Sequence, residues 1–321
     1  MKQDEEHIVN LDLPVNERWG FLINYQSEIN DLLQYYLSDL ENADVRLDEI
    51  CLQVKDKITT EYNEEIEFIS SITNFSANEV LRANLYYDML KFYLGCTAFG
   101  VEYNGTVLHS RNLDWWTENN ILSSYSKIFD FRRSGKTVFK TVGWLGFIGA
   151  LSGTKPGKFS LTLNAVLSND KPQIELPISF LIRDILSTAG SFEEAKEKLE
   201  RTKIASDCLI LLTGIKEGEM VVIERTPTRY ATRTTDKKYI VVTNDYKKLE
   251  NNSSEEGLIQ LTSCGRFDRT EDLLETVLPV NIEMCFNILQ DENVMMGITV
   301  QQMVFDNQTG KIALIKRSPS Q

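Results

Sequence analysis

The chain has 321 residues, 42% apolar and 25% charged, the balance of a globular protein able to bury a large core as one big domain or two. Its formal net charge of -13, with no long run of Lys or Arg, excludes nucleic acid as a general partner. The same charge removes any generic attraction to anionic membranes, so contact with a membrane surface is expected to be transient and to rest on apolar patches.

Five cysteines, Cys51, Cys96, Cys208, Cys264 and Cys285, form an odd set at wide spacing with no CxxC pair. They read as free thiols in a reducing compartment, not as a zinc site or a disulfide framework. The opening MKQDEEHIVN lacks the apolar stretch of a secretory signal, and no segment has the apolar length of a transmembrane helix. A cytoplasmic location is therefore expected.

A short strand at Ile8 to Leu13 opens the chain, and residues 1 to 95 are otherwise mostly helical by pattern. Ile29, Leu32, Leu33, Tyr36, Leu37 and Leu40 recur at helical spacing and make one apolar stripe. Ser76-Ala77-Asn78-Glu79 is a capping box that opens a helix carrying Val80, Leu81, Leu85, Met89 and Leu90 toward Gly95. That glycine serves either as a helix C-cap or as a residue able to hold a strained peptide bond.

Two mixed runs, Cys96 to Tyr103 and Thr106 to Trp115, flank Asn104-Gly105, the signal for a two-residue type I′ hairpin. In that register Cys96 faces Leu113, and Ala98 faces Arg111 on the same side of the ribbon. Arg111 is then a diagonal neighbour of Cys96, about 7 to 8 Å away between Cα atoms and within reach of a long side chain. Asp114 falls opposite Gly95, beside the backbone nitrogen of Cys96, with its side chain on the other face.

A cysteine that attacks a carbonyl needs a base, usually His. The chain has only His7 and His109, and His109 pairs with Gly100, roughly 13 Å along the strand from Cys96. An α-amino group titrates near 7.7 to 8.0 and would serve instead if the bond between Gly95 and Cys96 were cut. Read alone, Cys96 is equally a small buried hydrophobe, and Arg111 with Asp114 a surface ion pair.

Further strands are expected at Lys127 to Phe139 and Phe159 to Val166, with the Gly-spaced apolar run Val142 to Gly149 between them. That run is either core or the wall of a lipid pocket. Asn164 ends the apolar Leu161-Thr162-Leu163, as a turn residue or as an amide that needs a partner. A helix at Pro177 to Ala189 stops at Gly190, and Ser191-Phe192-Glu193-Glu194 opens another. Strands follow at Cys208 to Ile215, Met220 to Glu224 and Ile240 to Thr243, the last ending at Asn244. After the polar loop 251–257, Gly265 to Leu278 reads as a helix with Arg266 and Arg269 near its start. Thr299 to Phe305 and Lys311 to Lys316 close the chain as a hairpin. Pattern alone reaches an α+β fold class.

Gly95-Cys96-Thr97, followed by a hairpin ending His109-Ser110-Arg111-Asn112-Leu113-Asp114, resembles the start of the catalytic subunit in acid ceramidase and N-acylethanolamine-hydrolysing acid amidase. These are N-terminal nucleophile cysteine hydrolases related to bile salt hydrolases. The resemblance continues at Ile8-Val9-Asn10-Leu11-Asp12-Leu13-Pro14 with Glu17-Arg18-Trp19, at Val242-Thr243-Asn244-Asp245-Tyr246 and around Arg266, in the same order over most of the chain.

The resemblance implies a four-layer αββα sandwich and self-cleavage between Gly95 and Cys96. Residues 1–95 would form a helical smaller subunit, and 96–321 the catalytic domain, held together as a non-covalent heterodimer. It implies hydrolysis of N-acylated amines, such as N-acylethanolamines or ceramides, to a fatty acid and an amine. Cys96 is the expected nucleophile. Arg111 favours its thiolate, Asp114 orients the α-amine, and Asn244 with a backbone N–H holds the oxyanion. Arg266 and Asn164 complete the polar wall. Trp115, Trp144 and Leu145 are expected to contact the acyl chain, and no metal or organic cofactor is called for. The alternatives are a bile salt hydrolase-like, penicillin-acylase-like or acyltransferase activity, and a catalytically silent lipid-binding relative.

Overall fold

A computed structural model of the chain describes residues 6–41, 47–89, 94–117, 120–251 and 258–317. Strand β1 (Glu6–Asn10) leads through α1 (Val15–Arg18) and a 3-10 turn into α2 (Gln26–Glu41), α3 (Leu47–Lys55), α4 (Thr60–Ser71), α5 (Ala77–Asn84) and α6 (Tyr86–Met89). Then come β2 (Leu94–Tyr103), β3 (Thr106–Trp115), α7 (Ile121–Ser124), β4 (Ser126–Arg133), β5 (Lys136–Trp144), β6 (Ser152–Lys155) and β7 (Phe159–Asn164). The chain continues as α8 (Ile178–Thr188), α9 (Phe192–Arg201), β8 (Cys208–Thr213), β9 (Met220–Arg225), β10 (Tyr230–Arg233) and β11 (Tyr239–Val242). It ends with α10 (Leu258–Thr276), α11 (Ile282–Leu289), β12 (Thr299–Asp306) and β13 (Lys311–Lys316).

The strands make an eight-stranded sheet, β1-β4-β5-β6-β7-β8-β9-β10, and a five-stranded sheet, β11-β2-β3-β12-β13. Side chains alternate across each strand and so sort the layers. In β2, Ala98 enters an apolar layer between the sheets with Leu209, Leu211 and Val222, whereas Phe99 and Val101 pack under Leu274 of α10 and Phe286 and Leu289 of α11. On the far side of the larger sheet, Leu161, Leu163, Ile210 and Leu212 pack with Ile182, Ile185, Leu186, Ala195 and Leu199 of α8 and α9. The result is helix on sheet on sheet on helix.

The N-terminal helices build no core of their own. Trp19, Leu32, Leu33, Tyr36 and Tyr86 join one cluster with Trp115, Trp144 and Leu145, and β1 pairs in parallel with β4 at the edge of the larger sheet. The expected subunit boundary, 95/96, lies inside β2. A buried ion pair adds to this union. Both oxygens of Glu65 on α4 face the Arg183 guanidinium of α8, with Arg183 Nη2 to Oε1 at 2.8 Å. Arg183 also donates to the Ile148 carbonyl at 2.7 Å and lies against the rings of Tyr62 and Phe131.

The hairpin register is as expected, with Cys96 opposite Leu113 and Asn104 and Gly105 both at positive φ (48° and 78°). The Ser76 capping box is present, and Ser191 caps α9. Lys127 to Phe139 is not one strand: Ser134-Gly135 (φ 50° and 73°) turns it into β4 and β5. Strands β6 and β10 and helix α11 were not anticipated, and α10 begins at Leu258, seven residues before the expected Gly265. Leu90 and most of the loop 251–257 lie outside the described residues.

Removing one partner of a buried pair strands the other charge, at a cost of about 3 to 5 kcal/mol. Glu65→Ala should lower stability by that order in urea denaturation. Lys55→Ala, at an exposed pair 3.9 Å from Glu67, should cost less than about 1 kcal/mol in the same assay.

Candidate functional site

Cys96 is buried near the start of β2, with its side chain in the layer between the sheets. Arg111 shares that face, and its Nη2 lies 3.2 Å from Cys96 Sγ. The guanidinium is fully buried. It also donates to the Leu151 carbonyl at 2.9 Å, to Ser152 Oγ and to the Leu163 carbonyl. Among the described residues no carboxylate is in ion-pair contact with it.

The Cys96 backbone is held as firmly. Its N–H donates to Asn244 Oδ1 at 3.0 Å, and its carbonyl accepts from Arg266 Nη1 at 2.6 Å. Arg266 Nη1 also reaches Thr97 Oγ1 at 2.9 Å, and Nη2 reaches Asn244 Oδ1 at 2.8 Å. Arginine has no acceptor, so the Asn244 atom facing it must be oxygen. Asn244 Nδ2 is then turned away and donates to the Ala165 carbonyl at 2.8 Å. Asn164 closes the same corner by donating to the Thr243 carbonyl at 2.9 Å, while its own Oδ1 is buried and has no partner among the described residues. Arg269 is outside this group and pairs with Asp291 at 2.6 Å.

Asp114 lies on the opposite face of β3, across from Gly95, and is completely buried. Arg111 and Asp114 are thus not the surface ion pair that a bare reading allows. Asp114 Oδ1 accepts from Thr299 Oγ1, and Oδ2 has no hydrogen-bond partner among the described residues. Burial raises its pKa above the ordinary carboxylate range, against the opposing pull of Arg266, the Thr299 hydrogen bond and Arg111.

Gly95 is neither a helix cap nor a strained residue. It sits in β2 and is absent from the glycines at positive φ. Crowding explains it better, because a Cβ there would lie 3.0 Å from Met296 Sδ and 3.1 Å from Asp114 Cβ.

Trp115, Trp144 and Leu145 sit in a closed layer. The Trp115 ring meets Trp144 edge-on at 5.5 Å and lies 5.2 Å from Tyr86 and 6.1 Å from Tyr36, while Trp144 Nε1 donates to the Leu122 carbonyl. With the N-terminal helices seated, all three residues are buried. The cavity of about 1260 Å³ between Ile128, Phe286 and Leu314 touches none of the site residues.

Two residues near the site had no motif to mark them. Glu224 is buried, and its carboxylate accepts from three consecutive backbone N–H groups, Lys247, Lys248 and Leu249, at 2.7 to 2.9 Å. It pins the loop that follows Asn244, and a lone acid inside the apolar run Met220–Arg225 was the available signal. Thr299 gave none.

The family model for acyl-coenzyme A:6-aminopenicillanic acid acyl-transferase matches residues 136–320. The chain belongs to this family. It is 32% identical over 250 residues to acid ceramidase from Balaenoptera acutorostrata scammoni and 31% identical to that from Rattus norvegicus, over 68% of this chain in both. The match spans 62% and 63% of those relatives, less than two thirds of their length. The structure of the Caenorhabditis elegans N-acylethanolamine-hydrolyzing acid amidase ortholog aligns with a TM-score of 0.58 at 25% identity, over 66% of this chain and 93% of that one. These relatives are acid ceramidases and an N-acylethanolamine-hydrolyzing amidase, and the helix–sheet–sheet–helix layering is the N-terminal nucleophile hydrolase fold.

This family member places its second histidine away from the nucleophile. His109 is buried between Thr213 Oγ1 at 2.9 Å and Thr162 Oγ1 at 2.8 Å, and burial, helped by Arg111, pushes it down to about 3. An unfolded His titrates near 6.5, so the unfolded state gains a proton first as pH falls. Stability from this residue is complete above about 6.5 and drains away toward pH 3, at about 1.4 kcal/mol per pH unit. His109→Gln should flatten the pH dependence of the urea midpoint between pH 6.5 and 4. Burial also sets thiol access. While the chain is uncut, iodoacetamide should label the exposed Cys264 and leave Cys96 unmodified in peptide maps.

Proposed function

We propose that the protein is a self-cleaving cysteine amidase acting on a long acyl chain joined to a small polar amine. The observation that carries this reading is the fully buried Arg111, with no carboxylate partner among the described residues and its Nη2 3.2 Å from Cys96 Sγ. That places a cation directly beside the sulfur proposed to attack and to carry the acyl group. The names of the acid ceramidase and N-acylethanolamine-hydrolyzing relatives support the substrate class.

In maturation, Cys96 Sγ adds to the Gly95 carbonyl carbon, the C–N bond breaks, and the Cys96 nitrogen leaves with a proton. Water then cleaves the Gly95 thioester, releasing a carboxylate and restoring the thiol. The freed α-amine is a base near neutral pH. In turnover it takes the Sγ proton, Sγ attacks the substrate amide and the amine leaves protonated. Water hydrolyses the acyl thioester to the fatty acid.

Asn244 Oδ1, fixed by Arg266, is aimed at the nitrogen that becomes this amine. Asp114, with its unpaired oxygen, serves from the Gly95 side. The proposed oxyanion role of Asn244 requires Nδ2 to leave the Ala165 carbonyl. Asn164, with its unpaired Oδ1, completes the polar wall. The two fragments, 1–95 and 96–321, stay associated through their shared core. Access for an acyl chain near Trp115, Trp144 and Leu145 requires the N-terminal helices to shift.

The purified protein should give two masses, for residues 1–95 and 96–321, and Cys96→Ala should give one. A panel of N-acylethanolamines, ceramides and conjugated bile acids should show fatty-acid release confined to long acyl chains, with Trp144→Ala altering the preferred length. Full activity in a chain shown to be intact at Gly95-Cys96 overturns the proposal.

A further inference from the structure

Strand β12 runs antiparallel to β3 with Gln301 opposite Leu113, but Thr299 lies opposite Asp114, so the register slips by one residue at Val300. Regular pairing would set Thr299 against Trp115, with its side chain on the face between the sheets. The extra residue turns it to the other face, where Asp114 projects. The hydroxyl there is nearly enclosed, and its polarity is fixed. Thr299 Oγ1 accepts the Met296 N–H at 3.1 Å, so its proton is directed to Asp114 Oδ1. The Thr299 N–H in turn donates to the Met296 carbonyl at 3.0 Å, and the Ile298 carbonyl accepts the Trp115 N–H at 2.9 Å. These bonds lock the turn 296–299 against the end of β3, and Met296 Sδ crowds Gly95 on the neighbouring β2.

We propose that Thr299 is the positioning residue for Asp114: it occupies one carboxylate oxygen and leaves the other free beside Gly95 for proton transfer at the scissile peptide. This inference rests on the self-cleavage reading above. The charged groups that act on Asp114 are Arg266 from α10 and, from the opposite face of β3, Arg111, and both favour the ionised carboxylate, as does the Thr299 hydrogen bond. The Cys96 thiol lies on the neighbouring strand. Losing the hydroxyl leaves burial less opposed, so Asp114 should hold its proton to higher pH.

The test uses Thr299→Val, which keeps the shape, and Thr299→Ser, which keeps the hydroxyl, in two settings. In freshly translated full-length chain, fragment appearance is followed on gels from pH 4 to 9. In the uncut Cys96→Ala protein, Asp114 is titrated by carboxyl-carbon NMR, with its signal assigned by its loss in Asp114→Asn. Thr299→Val should slow cutting at least tenfold, move the acidic limb of the rate profile upward and raise the Asp114 titration by about one pH unit. Thr299→Ser should restore all three. If the Asp114 titration is the same in Thr299→Val as in its parent, Thr299 does not position Asp114 and the inference fails. If the titration moves as expected but the Cys96 chain is never cut at any pH, the hold of Thr299 on Asp114 stands. Self-cleavage, and with it the duty assigned to that hold, is then overturned.

Discussion

A guanidinium enclosed between two sheets, with no carboxylate partner among the described residues, is the constraint on which the rest of the site depends. Moving a charge out of water is expensive unless every donor is met. Arg111 is met by the carbonyls of Leu151 and Leu163, the hydroxyl of Ser152 and the sulfur of Cys96, while its Nε stays unpaired. These acceptors come from the start of β6 and the end of β7, so the two sheets must stack in one register for the cation to be tolerated. The only group in this set able to become an anion is the thiol. A hydrophobic residue at position 111 would make a simpler core, which is why the arrangement reads as chemistry more than as packing.

Around that centre the polar contacts converge on the Cys96 backbone. Arg266 fixes the Asn244 amide, Asn244 faces the Cys96 nitrogen, and Glu224 holds the backbone just beyond Asn244. On the far face, Thr299 holds Asp114. Asn244 and Asp114 are thus each oriented by a hydrogen bond from a buried side chain, as a pre-organised site requires. His109, kept neutral between two threonines, takes no part and instead helps fill the layer between the sheets. The N-terminal helices share their core with the larger sheet and add the Glu65–Arg183 pair, so cutting one bond in β2 leaves most of the burial that joins the two parts intact.

The hairpin was legible because a two-residue turn and a period of two leave no freedom in register, and from this the facing of Arg111 and the separation of His109 both follow. Arg266 was preferred to Arg269 only as the arginine that the resemblance implies. The Ser134-Gly135 turn was hidden inside a run of strand-forming residues, and β6 and β10 are four residues each, too short for alternation to show. The bulge at Val300 leaves no mark in composition, so the partner of Asp114 was out of reach. Gly95 invited a backbone explanation, but the cause is crowding by Met296, distant in sequence, and by Asp114 on the paired strand. The same holds for Trp144, whose apolar surroundings read equally as pocket and as core until the N-terminal helices are seen on top of it.

The central claim is that Cys96 becomes an N-terminal nucleophile that carries the acyl group. Acid-quenching the enzyme during turnover of a long-chain N-acylethanolamine, followed by peptide mapping, tests it most directly. The account expects a hydroxylamine-labile acyl thioester on the first residue of a fragment that begins at Cys96. An acyl group found on another residue, or on Cys96 in a chain still joined to Gly95, would contradict it.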